Sequence, residues 1–211
     1  MNFSKFIRPS ISPTGRRRFT MVELLMVMVV ITILITMMMP AFERLALGSG
    51  VQGAARAVSG QLRMARQHAI TSRERVALLM PAGEISEDEK KWIAYRPCIV
   101  DNSNNWVAWV PNTEWQFVPT GAVIAQVGAP DALGNPPSDS TTMIADVPGE
   151  ANAIRAIVFT PTGRLVGINR RLHIVEGAVT GGQMIIRNRD NYRTLEVDTF
   201  TGRTSYKDEQ L

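Results

Sequence analysis

The hydrophobic pattern of the chain begins with one unbroken apolar run. Residues 24–39 contain no charged residue, no Gly and no Pro, and their only polar members are Thr32 and Thr36. With the five residues before it, this run is roughly 32 Å long as an α-helix, which matches the roughly 30 Å hydrocarbon core of a bilayer. We therefore predict a transmembrane helix over residues 19–40. Pro40 has no backbone N–H to donate, so it is expected to kink or end that helix.

A second helical pattern follows the apolar run. Small and apolar residues recur at spacings of three and four along one stripe, which consists of Val51, Ala54, Ala55, Val58, Leu62, Ala65 and Ala69. The arginines of this stretch fall largely off the stripe, at Arg56, Arg63, Arg66 and Arg73. A helix with one such face packs on a folded domain, and we predict an amphipathic helix over residues 41–75. Gly48, Gly50 and Gly53 weaken its first part, because Gly costs about 1 kcal/mol relative to Ala in a helix.

From Arg75 onward the pattern changes to short runs of strand type, separated by turn residues. Strands are predicted at residues 76–80, 92–95, 106–110, 123–127, 153–159, 165–168, 172–175, 184–187, 194–197 and 204–206. Residues 131–140 are rich in Pro, Gly, Asp and Ser and are predicted to form a loop. A long helix followed by many short strands predicts an α+β fold, in which the helix packs on an antiparallel β-sheet domain at residues 76–211.

The distribution of the charges along the chain is more informative about topology than the net charge of +4. Five of the 23 basic residues and none of the 19 acidic residues lie in residues 1–18, so residues 19–211 carry a net charge of −1. A basic excess directly before an apolar span is a topology signal that favours a cytoplasmic N-terminus. We therefore predict that residues 1–18 are a basic leader, and the composition alone does not indicate nucleic-acid binding.

One carboxylate interrupts the start of the span. Glu23 follows Phe19 by four positions, and an unpaired carboxylate within a membrane costs on the order of 2.5 kcal/mol, so Glu23 requires a partner. The sequence from Phe19 to Glu23 is preceded by Arg16, Arg17 and Arg18 and is followed by an apolar helix that reaches Pro40. This arrangement resembles the type IV pilins and the type II secretion pseudopilins. If Phe19 is the first residue of the mature chain, Glu23 and Pro40 take the positions at which this family has its Glu and its Pro.

The resemblance implies how the protein is processed and where it resides. A prepilin peptidase/methyltransferase is expected to cleave between Arg18 and Phe19 and to methylate the new amine of Phe19. The family has Gly, or sometimes Ala, where this chain has Arg18. Glu23 is then expected to pair with an amine and to contribute to assembly with other pilin subunits. The resemblance also implies a single-pass protein of the bacterial inner membrane, whose C-terminal domain is periplasmic or extracellular in a filament.

A second resemblance lies near the end of the chain. The segments Ile157-Val158-Phe159-Thr160-Pro161-Thr162-Gly163-Arg164 and Leu195-Glu196-Val197-Asp198-Thr199-Phe200-Thr201-Gly202-Arg203 are similar to the C-terminal half of the GspH/FimT branch of minor pilins. In that branch, a Phe-x-Pro-x-Gly-Arg turn precedes a final strand that ends in Gly-Arg. A Gly-Arg pair after a strand also arises as an ordinary tight turn.

The sequence contains no pattern typical of a catalytic or metal-binding site. His68 and His173 lie far apart and have no ligand at metal-binding spacing. Cys98 is the only cysteine, so it is expected to be a small buried residue without a disulfide. The acidic residues 84–89 lack the spacing of a calcium loop and precede two lysines, which favours a solvated turn. The four Trp residues are expected to pack in the core. We therefore predict neither an enzyme nor a bound metal or cofactor.

The sequence is compatible with three functions. The favoured one is a structural subunit, a minor pilin or pseudopilin of a type II secretion pseudopilus or a type IV pilus. The second is DNA binding for DNA uptake, because some members of the FimT branch bind DNA through C-terminal arginines. Residues 150–211 carry a net charge of +2 and hold candidate phosphate contacts at Arg164, Arg170, Arg171, Arg187, Arg189, Arg193 and Arg203. The third is a plain periplasmic domain on a membrane anchor.

Overall fold

The computed structural model describes residues 20–128, 142–167 and 170–207, without the side chains of residues 39–49 and 207. The chain divides into two compact units, Met1–Phe42 and Glu43–Leu211. The predicted leader and the predicted loop at residues 131–140 lie outside the described residues.

The first element, α1 (Met21–Ser72), contributes to both units. Its backbone is helical through Pro40, so the helix does not end at that residue, and of the two outcomes predicted for Pro40 the kink stays a prediction. A proline removes one hydrogen bond from the helical ladder, and the bonds on either side are enough to continue the helix here. The helix ends at Ser72 because Arg73 adopts a left-handed backbone conformation with φ of 60°.

Two antiparallel sheets follow the helix in the second unit. The first sheet has the strand order β3-β2-β1-β7-β6, and β4 also pairs with β2. Its strands are β1 (Arg75–Leu79), β2 (Ala94–Val100), β3 (Trp106–Trp109), β4 (Gln116–Phe117), β6 (Thr142–Ile144) and β7 (Ile154–Phe159). The second sheet has the order β10-β9-β8-β5 and contains β5 (Ala122–Gly128), β8 (Arg170–Thr180), β9 (Gln183–Val197) and β10 (Thr204–Lys207).

The two faces of the first sheet bury different sets of side chains. On β1, Val76 and Leu78 belong to a core that also contains the whole small-residue stripe of α1 and the inner face of the second sheet. Ala77 and Leu79 point to the opposite face and belong to a second core, which also contains Ile85 from the loop after β1. This alternation is the period-two pattern of a strand that is buried on both faces, and it explains why β1 has no polar face.

A buried arginine connects the two sheets. Arg155 of β7 is only 1% exposed, and its guanidinium donates hydrogen bonds to the carbonyls of Met80 (2.6 Å) and Ile124 (2.8 Å). Met80 follows β1, whereas Ile124 lies in β5 of the other sheet. The guanidinium also lies 5.0 Å from the ring centroid of Trp92. These contacts give a carbonyl on each side of the boundary between the sheets a hydrogen-bond donor.

The predicted α+β class is confirmed, and most predicted strands exist. The runs 184–187 and 194–197 are parts of one strand, β9, and β2 continues past Pro97 to Val100. The predicted strand at 165–168 is wrong where it is described, because Leu165 forms only an isolated bridge with Phe159. The short strands β4 and β6 were not predicted. Two or three residues of alternating pattern are too few to recognise without their partner strands.

The single cysteine lies within the second core. Cys98 of β2 is fully buried, and its partner across the sheet is Trp109. Burial raises the pKa of the Cys98 thiol to about 12. The thiolate is the reactive form of cysteine, so the expected interpretation as a small apolar core residue agrees with the structure.

We predict that Cys98 of the folded protein does not react with an aromatic disulfide reagent at pH 8 and reacts rapidly once the chain is unfolded in urea. The absorbance of the released thiol measures both rates. As a control, Val107→Cys in a Cys98→Ala background places a thiol at a position that is 53% exposed, and that thiol should react without denaturant. Equal rates for the two folded proteins would contradict the burial of Cys98.

The same thiol gives a pH dependence of stability with a definite sign. Its folded pKa is above the unfolded value of about 8.5. The contribution of the thiol to the unfolding free energy is therefore fully present below about pH 8.5. It decreases as the pH rises towards 12, by at most about 1.4 kcal/mol per pH unit. Urea unfolding at several alkaline pH values should show this decrease in the wild type, and a smaller decrease in Cys98→Ala.

Candidate functional site

The start of α1 forms a capped helix terminus at the predicted assembly residue. The hydroxyl oxygen of Thr20 accepts a hydrogen bond from the backbone N–H of Glu23 at 3.2 Å, and its carbonyl accepts one from Leu24. Thr20 is therefore the N-cap residue, and Glu23 occupies the third helical position, where a carboxylate is favoured by the helix dipole. The spacing Thr-x-x-Glu before an apolar run is a capping-box sequence, and sequence reasoning missed it. Phe19 and Arg18 lie outside the described residues.

The helix after this cap is apolar and has no covering layer. The segment Met21–Met38 has a mean hydropathy of 2.6, and none of it is buried against the rest of the described chain. Its two threonines satisfy themselves within the helix, since Thr32 donates to the carbonyl of Met28 and Thr36 to that of Ile33, both at 2.8 Å. A helix of this length and composition, with its hydroxyls bonded internally, is long and apolar enough to cross a bilayer, and Glu23 in its first turn is the side chain that would need a partner there.

The two Gly-Arg motifs near the C-terminus meet in space. Gly163 ends the turn after β7, and Gly202 lies in the turn between β9 and β10, with φ of 76° and 61°. A Cβ added to Gly163 would lie 2.6 Å from Cδ1 of Ile70, and one added to Gly202 would collide with the carbonyl oxygen of Gly163. Both positions therefore require glycine for backbone conformation and for space. We call the contact between these two turns the glycine junction.

Hydrogen bonds from the helix and between the turns hold the glycine junction together. Arg66 of α1 donates from Nε to the carbonyl of Gly163 at 3.1 Å. The N–H of Leu165 donates to the carbonyl of Thr199 at 2.9 Å, which ties the first turn to the second. The carboxylate of Asp198 accepts hydrogen bonds from both the N–H and the hydroxyl of Thr201, each at 2.8 Å. These bonds lower the pKa of Asp198, and the bond from the backbone N–H of Thr201 has the larger effect.

The structure divides the candidate arginines into separate groups. Arg164 and Arg203 are exposed beside the glycine junction, whereas Arg187, Arg189 and Arg193 are exposed on β9. The N–H of Asp198 donates to the carbonyl of Arg203, so these two residues are opposite each other. Five strand positions separate Asp198 from Arg193, which corresponds to roughly 17 Å. The exposed arginines therefore do not form one compact cluster along the strand.

Two further arginines are not available for phosphate contact, which corrects the sequence prediction. Arg170 is only 9% exposed, and burial lowers the pKa of its guanidinium. Arg171 forms an ion pair with Glu196 across the β8–β9 hairpin, with Nε 2.9 Å from the carboxylate oxygen. Both lie opposite residues of β9 in the register, a placement that the sequence alone does not give.

Three Trp side chains and His173, which could have belonged to a binding or metal site, pack against other aromatic rings. Three Trp side chains, Trp106, Trp109 and Trp115, pack edge to face at 5.6 and 5.9 Å between ring centroids and cover the second core. The ring of His173 stacks on Tyr192 at 5.8 Å. Within the part of the chain that the structure describes, no three His, Cys, Asp or Glu side chains are grouped as a metal site would require.

Comparison with known proteins gives one match over most of the chain. Residues 54–202 match the family described as Type II transport protein GspH. No curated protein sequence matches this chain.

Solved structures with a similar arrangement include two minor pilin-type proteins. The type IV minor pilin FimU of Pseudomonas aeruginosa is 16% identical, with a TM-score of 0.45 over 74% of this chain and 87% of FimU. The minor pseudopilin EpsH from the Type 2 Secretion System of Vibrio cholerae is 11% identical, with a TM-score of 0.42 over 74% of this chain and 95% of EpsH.

We predict that Gly202→Ala lowers the unfolding free energy of a fragment from Val51 by about 3 kcal/mol, because it adds both a clash and backbone strain. Two matched substitutions separate these causes. Gly181→Ala has a positive φ but free space and should cost about 1 kcal/mol, whereas Gly83→Ala has neither feature and should stay within about 0.5 kcal/mol of the wild type. Urea unfolding gives all three values, and a cost for Gly202→Ala no larger than that for Gly181→Ala would contradict the close contact with Gly163.

Proposed function

The chain belongs to the GspH family of type II transport proteins, and from that premise we propose that it is a minor pilin or pseudopilin, a structural and non-catalytic subunit of a filament. The observation that carries this proposal is the division of α1. The segment Met21–Met38 is apolar and uncovered, whereas the stripe from Val51 to Ala69 is fully buried beneath two sheets. One helix thus combines a membrane or filament anchor with the central element of a folded domain.

Glu23 is the proposed assembly residue of the anchor. It is exposed in the first turn of α1 and lies among apolar side chains. A carboxylate in a membrane is costly without a partner. If the leader is removed, the amine of Phe19 lies four residues before Glu23, which places both groups on the same side of a helix start. Pairing with that amine, or with the amine of a neighbouring subunit, then favours the assembled arrangement over the isolated subunit.

The proposed partners follow from this arrangement. They are other pilin or pseudopilin subunits, the inner membrane, and a prepilin peptidase/methyltransferase that cleaves between Arg18 and Phe19. We propose a single-pass topology with the N-terminus in the cytoplasm, because five basic residues precede the span. The globular unit is then periplasmic, or extracellular in a filament. Pro40 lies at the end of the anchor and is proposed to contribute to assembly.

We predict that Glu23→Ala inserts into the membrane normally but is lost from filaments, because the processed amine of Phe19 then lacks a counter-charge. Glu23→Gln is the matched control for helix capping, since a Gln at this position can still take part in a capping box without a charge. Both variants should therefore fail to assemble. Recovery of the protein in sheared filaments measures assembly, and normal assembly of Glu23→Gln would show that the charge is not required.

Cleavage of the leader is the second test of the same mechanism. N-terminal sequencing or intact mass of the protein from its own host should give a mature chain that starts at Phe19, with a methylated amine. Arg18→Gly should be processed faster, because a small residue then precedes the scissile bond. An intact leader on every wild-type molecule would exclude the filament mechanism and leave a plain membrane-anchored periplasmic domain.

DNA binding is the second candidate function, and one observation favours it. Arg164 and Arg203 are exposed beside the glycine junction, and Phe200 in the turn between β9 and β10 is 73% exposed. Phosphate contacts by Arg together with stacking on an aromatic ring are features of single-stranded DNA binding. Against this, Arg187, Arg189 and Arg193 lie elsewhere on β9, and the last Gly-Arg is followed by Thr204 rather than by a second basic residue.

We predict that the fragment from Val51 does not retard DNA in a gel at physiological salt, because only two exposed arginines flank the junction. If retardation occurs, Arg203→Ala should weaken it and added salt should reduce it steeply. Arg189→Ala, away from the junction, is the control. Salt-sensitive retardation that depends on Arg203 but not on Arg189 would make DNA binding the preferred function.

A further inference from the structure

The exposed side of α1 in the globular unit is basic. Residues 51–72 contain no Asp or Glu. Arg56 and Arg63 are exposed two helical turns apart, about 10 Å along the axis, and neither forms an ion pair with a described residue. Arg66 is half-buried beside them and donates to the carbonyl of Gly163. We call Arg56, Arg63 and Arg66 the basic helix face.

A loop on the same unit carries the opposite charge. Four carboxylates lie in the segment between β1 and β2, at Glu84, Glu87, Asp88 and Glu89. A fifth comes from Glu150, which precedes β7 and accepts a hydrogen bond from the N–H of Ser86. Two lysines compensate part of this charge, since Lys90 pairs with Glu87 and Lys91 with Asp88, each at 2.6 Å. The exposed Glu89 has no ion-pair partner among the described residues. We call the five carboxylates the acidic loop face.

These two charged faces lie on opposite sides of the first sheet. Leu62 of α1 packs in the core that contains Leu78 of β1, whereas Ile85 of the acidic loop packs in the core that contains Leu79. Leu78 and Leu79 are consecutive residues of one strand, so their side chains point to opposite faces. The sheet therefore separates the basic helix face from the acidic loop face, and one copy cannot pair them internally.

The placement of the two charged faces on opposite sides determines how two copies of the chain can associate. A two-fold contact through either face would bring like charges together, arginine against arginine or carboxylate against carboxylate. A contact between the front of one copy and the back of the next brings opposite charges together and leaves both end faces free. Such heterologous contacts continue into a helical filament when they do not close into a ring.

We propose that the basic helix face of one copy docks on the acidic loop face of a second copy. This inference rests on the proposed function as a filament subunit, and it adds the two surfaces through which copies of this chain contact each other. Ion pairs at exposed sites are individually weak and are screened by salt. The contact is therefore a weak one that orients subunits already concentrated in a membrane or a filament.

Charge reversal with mixing tests the proposal on the full-length chain in nonionic detergent micelles. The helix variant is Arg56→Glu/Arg63→Glu, and the loop variant is Glu87→Lys/Glu89→Lys. Each variant alone has two faces of like charge and should lose self-association, with a dissociation constant about tenfold higher or more. A mixture of the two should associate again, because each presents what the other lacks. The control Arg189→Glu/Arg193→Glu changes the charge equally on β9 and should associate like the wild type.

Sedimentation velocity measures each sample at about 0.01 M and about 0.15 M salt, between which the Debye length decreases from roughly 30 Å to roughly 8 Å. Association of the wild type and of the mixture, and its decrease with salt, would support the proposal. No wild-type association at low salt, or no recovery on mixing, would overturn it. Retardation of duplex DNA by the wild type that the helix variant abolishes would also overturn it, because the basic face would then bind nucleic acid.

Recovery of the same proteins in sheared filaments from the host separates this proposal from the proposed function. Wild-type protein in filaments without self-association in micelles would exclude the charged contact and leave the filament role intact. Wild-type protein that never enters filaments would exclude the filament role, whatever the micelle samples show.

Discussion

The arrangement of the globular unit depends on how closely the small-residue stripe of α1 approaches two sheets at once. Ala54, Ala55, Ala65 and Ala69 are fully buried in the first core together with the inner faces of both sheets. Alanine allows the helix backbone to lie close to the strands, and larger side chains at these positions would force the layers apart. The sheets do not share a strand, and the helix and the bridging Arg155 are among the contacts that fix their relation to each other.

The same helix also positions the two C-terminal turns. Arg66 donates to the carbonyl of Gly163, and Ile70 occupies the space that a Cβ on Gly163 would need. Gly202 then approaches that carbonyl so closely that no side chain fits. The conformation of both turns is therefore coupled to the last turns of α1, although the three segments are distant in sequence. This coupling gives the two Gly-Arg motifs a structural reason that is independent of any ligand, while it leaves Arg164 and Arg203 exposed.

The exposed surface of the first part of α1 is apolar, whereas the globular unit carries charged faces. The segment Met21–Met38 presents apolar side chains and internally bonded hydroxyls, so lipid or other apolar helices are the surroundings that suit it. In the globular unit, the basic helix face and the acidic loop face lie on opposite sides of the first sheet. The proposed contact between copies pairs these unlike faces, and contacts of that heterologous kind are the ones that can continue into an open filament.

The sequence alone determined those features that rest on local chemistry. An apolar run of bilayer length, a stripe of small residues at helical spacing and a series of short alternating runs were sufficient to predict an apolar helical segment, a buried helix face and the α+β class, because period and length depend only on neighbouring residues. The motif from Phe19 to Glu23 and the two Gly-Arg segments indicated the family for the same reason. The helix cap of Thr20 and Glu23 was equally local, and its spacing could have been recognised.

The tertiary structure decided whatever depends on partners distant in sequence. Only the pairing of β8 with β9 shows that Arg171 is held by Glu196, and only the packing around β8 shows that Arg170 is buried. The strands β4 and β6 exist because neighbouring strands supply their hydrogen bonds, so their few residues carry no signal of their own. The placement of the basic and acidic faces on opposite sides of one sheet likewise follows from strand order and alternation. The linear distribution of charge contains no information about which side of a sheet a helix or a loop will cover.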